Sequence, residues 1–128
     1  MPTVLITNDD GVDAPGLLAL KHALTSIARI IVIAPDRNWS AAGHTKTLSR
    51  PLSVRSVQLA DGSSAFCTDG APSDCVALAT LGFVKQKIDA IIAGVNHGPN
   101  LGDDITYSGT VAAAMDGSLA HIPSVAVS

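Results

Sequence analysis

The chain has 128 residues, 47% of them hydrophobic and 15% charged, which suits one compact domain and excludes a disordered chain. Its formal net charge is −3, with no long run of one sign, which excludes a surface that grips a nucleic-acid duplex through clustered Lys and Arg. No apolar run approaches the ~20 residues of a membrane span, and Met1-Pro2-Thr3 leads straight into apolar residues without a basic leader, so a cytoplasmic placement is expected.

In chain order, Val4-Leu5-Ile6-Thr7 predicts a buried strand. Pro15 then opens a helix carrying Leu17, Leu20, Leu24 and Ile27 at helical spacing. Ile30 to Ala34 is a second apolar strand, closed by Pro35. The stretch from Asp36 to Arg50 reads as a long loop of the kind that often carries function. Leu52 to Leu59 alternates as a half-exposed strand ended by the turn Asp61-Gly62, and Phe66 to Thr68 is a short strand. Pro72 opens a second helix, apolar through Cys75, Val76, Leu78, Ala79 and Leu81, with Asp74 suited to its dipole. Ala90 to Val95 is another apolar strand. Val111, Met115 and Leu119 place an apolar stripe on a third helix, His121 caps its C-terminus, and Ser124 to Val127 is a last strand.

Strands that are apolar throughout are buried on both faces, and their alternation with helices implies parallel β-α-β units. The expected fold class is therefore α/β: a three-layer α/β/α Rossmann-like sandwich with a mostly parallel sheet. Residues 1–128 are expected to form a single α/β core domain, truncated at the C-terminus because the last strand runs to Ser128. The lone cysteines, Cys67 and Cys75, sit among small and apolar residues and read as buried thiols.

Ligands of open parallel sheets bind outside the carboxyl ends of the strands. After the first strand comes Asn8-Asp9-Asp10-Gly11. After the second comes Pro35-Asp36-Arg37-Asn38-Trp39-Ser40, and after the fourth apolar stretch Asn96-His97-Gly98-Pro99-Asn100-Leu101-Gly102-Asp103-Asp104. Adjacent carboxylates repel unless a cation lies beside them, and hard divalent cations take oxygen ligands. Asp9 and Asp10, with the Ser40 hydroxyl and the Asn96 amide oxygen, make such a set. Tyr107-Ser108-Gly109-Thr110 precedes the third helix, where open backbone N–H groups suit an anion; Ser108 is equally suited to be a plain N-cap. Gly43-His44-Thr45 can also face the ligand. Trp39 either walls a base pocket or packs over its loop, Asp103 and Asp104 either orient loop amides or are solvated, and His22 is assigned no role. A P-loop, a G-x-G-x-x-G after the first strand and a G-x-S-x-G elbow are all missing. A metal-assisted phosphate-ester hydrolase leads. A nucleotide-sugar glycosyltransferase-like enzyme and a metal- and nucleotide-binding fragment without turnover stand beside it.

Five ordered blocks resemble the stationary-phase survival protein E (SurE) family: Asn8 to Gly16, Ala34 to Gly43, Pro72 to Val76, Gly94 to Asp104 and Tyr107 to Met115. The resemblance covers the whole chain. It implies a metal-dependent phosphomonoesterase, a 5′-nucleotidase that hydrolyses nucleoside 5′-monophosphates, and also 3′-monophosphates, to nucleoside and phosphate. It implies one divalent cation, magnesium or manganese, on Asp9, Asp10, Ser40 and Asn96. It also implies phosphate binding by Asn100, Ser108, Gly109 and Thr110, with Gly43 of the long loop added as a further candidate contact, and catalytic parts are expected for Asp9, Asp10, Asn100 and Ser108. Homodimers or homotetramers are expected of full-length members, which are about twice as long. Ala71 departs from the family's usual Thr before Pro72, so a hydrogen bond is expected to be missing there.

Overall fold

Along the first strand, Val4 and Ile6 pack to one side and Leu5 to the other, and all three are buried. That two-sided burial requires a layer on each face. The computed structural model describes residues 1–38, 51–97 and 109–128. The first strand, β1 (Thr3–Thr7), is followed by helix α1 (Pro15–Leu24) and strand β2 (Arg29–Pro35). Then come β3 (Val54–Gln58), β4 (Ser64–Thr68), helix α2 (Pro72–Leu78), β5 (Ala90–Ala93), helix α3 (Gly109–Leu119) and β6 (Ser124–Ala126). The sheet order is β3-β4-β2-β1-β5-β6, parallel throughout except that β3 runs antiparallel to β4. Among the described residues the fold is thus the expected mostly parallel α/β sandwich.

The two cores follow from the strand alternation. On one face Val4, Ile6, Val32 and Ala34 meet Leu17 of α1. On the other, Leu5, Ile33, Ile91 and Ala93 meet Cys75 and Val76 of α2 and Ala113 of α3. Both thiols are free and buried, and burial pushes Cys75 up to about 12. No helix among the described residues is long and apolar enough to cross a membrane.

Three expectations about the helices are corrected. α1 stops at Leu24, not Ile27, and Ile27 is 62% exposed, because the chain turns there to enter β2. Leu81 is exposed in the middle of the wider helical turn (Ala79–Phe83) that extends α2. Met115 and Leu119 also face outward. The buried face of α3 carries Thr110, Ala112, Ala113, Asp116 and Gly117 instead. The reason is closeness: a Cβ at Gly117 would collide with the Ser124 hydroxyl and come within 2.8 Å of Ile91 Cδ1. Only small side chains let α3 approach the sheet so nearly, and the large ones turn away. His121 caps α3 as expected. It sits at φ +62°, its N–H donates to Ser118 O and the Ile122 N–H to Gly117 O, both at 3.0 Å, the pairing of a left-handed helix end.

His22, given no role from sequence, has a structural one. Its Nε2 lies 2.9 Å from Asp61 Oδ2, and Lys21 Nζ is 3.3 Å from the same oxygen. These contacts fasten α1 to the β3–β4 turn. Hydrogen bonds from the Ser63 hydroxyl and N–H, and then His22, hold the Asp61 carboxyl well below the usual range.

Candidate active site

The chain runs from β1 to β2 on one side of the sheet and later returns to β5 on the other side of β1. The strand order therefore reverses between β1 and β5, and a crevice opens beyond their carboxyl ends. Thr7 pairs with Ala93 in register, so the segments after both strands emerge side by side.

Asn8 shapes the first segment. Its Nδ2 donates to Gly11 O at 2.7 Å and its Oδ1 accepts from the Gly11 N–H at 3.2 Å, closing a loop around Asp9 and Asp10. Gly11 has φ +109°, and a Cβ there would meet Arg37 backbone atoms at 3.3 Å; the position therefore suits glycine. The Val12 N–H then donates to Pro35 O at 2.8 Å, which ties this loop to the end of β2.

Asp9 is 3% exposed, and among the described residues its Oδ1 has no hydrogen-bond partner. Burial, with the Asp10 charge second, pushes its carboxyl up to about 6. Asp10 is reached from β5: its Oδ2 accepts the His97 N–H at 2.9 Å. Asn96 is fixed through its backbone, whose N–H donates to Val127 O at 2.9 Å. Its side-chain Oδ1 lies 3.4 Å from the hydroxyl of Thr110, which is fully buried in the first turn of α3. A pocket of about 470 Å³ is lined by Asp10, Asn38, Asn96, His97 and the start of α1. The close fit of that helix depends on Gly16, where a Cβ would stand 2.6 Å from Val95 O.

The structure thus joins Asp10 and Asn96 in one pocket, with Asp9 beside them and Thr110 behind Asn96. Gly109 opens α3. Ser40, Gly43, Asn100 and Ser108 lie outside the described residues, as do Trp39, His44, Asp103 and Asp104. Sequence reasoning missed three pocket features. Asn38 and His97 were only loop letters in the sequence, and the N-terminus of α1 enters the pocket through packing that Gly16 alone hints at.

The donor set fits a hard divalent cation. A buried carboxylate oxygen without a partner, held next to a second carboxylate, is a costly arrangement that a cation relieves. Carboxylate and amide oxygens are the ligands magnesium and manganese prefer. Among the described residues no group of three or more His, Cys, Asp or Glu converges; there Asp9 and Asp10 are the carboxylates at this crevice and Asn96 the neutral oxygen beside them.

A sequence profile of the family described as survival protein SurE matches residues 4–128. A protein of Herpetosiphon aurantiacus named 5′-nucleotidase SurE is 55% identical over 125 residues, covering 98% of this chain and 49% of that protein. One of the same name from Chloroflexus aggregans is 54% identical over an equal span. A crystal structure of the SurE protein from Aquifex aeolicus has the same fold, with a TM-score of 0.86 at 47% identity, covering 98% of this chain and 50% of that one. The chain spans about half the length of the curated relatives it matches.

Proposed function

The chain belongs to the survival protein SurE family, and from that premise we propose that it carries the metal and phosphate half of a nucleoside monophosphate phosphatase. The observation that carries this reading is the buried Oδ1 of Asp9, without a partner among the described residues and beside Asp10, at the point where the strand order reverses. Asp9, Asp10, Asn96 and Ser40 are the residues that would hold one magnesium or manganese ion. Such an ion would supply a Lewis acid for a phosphoryl oxygen and would lower the pKa of a water, so that hydroxide is available at neutral pH.

The rest of the chemistry falls to the chain. The His97 N–H fixes one Asp10 oxygen, so the carboxylate is oriented before substrate arrives. The N-termini of α1 and α3 suit an anionic group through their positive dipole ends. Asn100, Ser108 and Gly109, with Gly43, are the proposed phosphate contacts, and a hydroxyl or amide there stabilises charge on the equatorial oxygens. Asp9 or Asp10 holds the attacking water. The pocket is within the size range of small-ligand sites, and a nucleoside 5′- or 3′-monophosphate is the proposed substrate.

One observation favours a second reading, a fragment that binds metal and nucleotide without turnover: the chain spans half of its relatives. Phosphate release from adenosine 5′-monophosphate decides, measured with magnesium, with manganese and with chelator, on the wild-type chain and on Asp10→Ala. Release that needs metal and disappears in Asp10→Ala is the expected result. Release indifferent to chelator and to the substitution would remove the metal assignment. Metal binding without release would select the second reading.

A further inference from the structure

An asparagine that ligates a cation must present its oxygen and not its nearly isosteric NH₂ group. Something beside it has to choose. At the end of β5 one such partner is the Thr110 hydroxyl, which is wholly buried and donates to Asn96 Oδ1 at 3.4 Å. A hydroxyl that donates to a carbonyl oxygen leaves the second lone pair of that oxygen for a cation. Buried in the first turn of α3, beside Ala112 and Ala113, the Thr110 side chain is fixed by packing. The distance is long for an O–H···O bond, and bonds of this kind often tighten when the ligand is present.

We propose that Thr110 is a positioning residue for the cation, its hydroxyl setting the orientation of the Asn96 amide so that Oδ1 faces the metal. This rests on the metal site proposed above and revises the phosphate contact that resemblance implies for Thr110. The geometry is economical. The first turn of α3 would then act on the cation through a buried side chain, while its N-terminus stays available to the proposed phosphate. Outer partners of this kind are worth about 10- to 100-fold in metal affinity.

The test is the dissociation constant for Mn²⁺ by titration calorimetry on the intact chain, with folding checked by circular dichroism. Thr110→Val keeps shape and removes the donor, and affinity should fall about 10- to 100-fold. Thr110→Ser keeps the donor and should stay within about threefold of wild type, by the same reasoning. Asn96→Asp offers two equivalent oxygens and leaves no amide orientation to choose, so adding Thr110→Val in that background should cost much less than it does beside Asn96. Unchanged affinity in Thr110→Val overturns the proposal, as does an equal loss in Thr110→Ser or an equal cost in the Asn96→Asp background. The last comparison also decides the matter if the valine variant folds less well, since a packing defect would weaken both backgrounds alike. A raised KM for adenosine monophosphate with unchanged Mn²⁺ affinity would return Thr110 to the phosphate. Failure of the wild-type chain to bind Mn²⁺ would overturn the metal site itself along with this proposal, whereas wild-type binding with an indifferent Thr110→Val overturns the positioning role alone.

Discussion

Asp9 is held at a cost. Its folded carboxyl titrates at about 6 against 3.8 for an ordinary aspartate, so between those values the folded chain binds a proton that the unfolded chain has released. Stability of the metal-free protein therefore falls as pH rises through that window, by about 3 kcal/mol at ~1.4 kcal/mol per unit. Below it the contribution is fully present. Asp9→Asn should flatten this part of the stability curve and make the metal-free chain more stable at pH 7.5 than wild type. Thermal melts from pH 3.5 to 7.5 in chelator give the answer, and an identical pH slope in the variant would disprove the assignment. Manganese should reverse the wild-type loss at pH 7.5, since it binds the ionised carboxylate. Much of this was legible in the sequence, because an Asp-Asp pair after an apolar strand is chemically conspicuous. The partners were not. That a His97 amide reaches Asp10, and a Thr110 hydroxyl Asn96, depends on which strands are neighbours.

At the scale of elements, α2 shows what a single departure does. Ala71 stands at its N-cap position, with no side-chain oxygen to accept from the first turn, while Asp74 Oδ2 still accepts the Ala71 N–H at 2.8 Å. Half of a reciprocal cap survives. Ala71→Ser should restore the other half and add about 1 kcal/mol, a rise of roughly 3–5 °C in the melting midpoint for a chain of this size. A lower midpoint would mean that this fully buried position has no room for the hydroxyl. Periodicity located the three α-helices of the described residues, yet it misjudged α3. Met115 and Leu119 lie on the outer side because Gly117 and the alanines bring the helix close to β5 and β6. A pattern of large apolar residues signals burial only when the spacing between layers admits large residues, and that spacing is not written in the helix itself.

Across the whole molecule, the reversal of strand order at β1 and β5 gathers the candidate site at one crevice. The alternation of apolar strands with helices foretold the parallel sheet, while the antiparallel β3 at its edge follows from a tight β3–β4 connection that only turn residues announced. β6 adds something that static geometry conceals. Val127, just beyond this three-residue edge strand, donates to Ala93 O at 2.8 Å and accepts the Asn96 N–H at 2.9 Å. Short edge strands open locally and often. Each such opening would release the Asn96 backbone, so the lifetime of the ligand geometry is tied to the fraying rate of β6. In deuterium exchange the amides of Asn96 and Val127 should exchange at matching rates, faster than those of β1, and a bound cation should slow both together; exchange of Asn96 at the pace of the central strand would show the two motions to be independent.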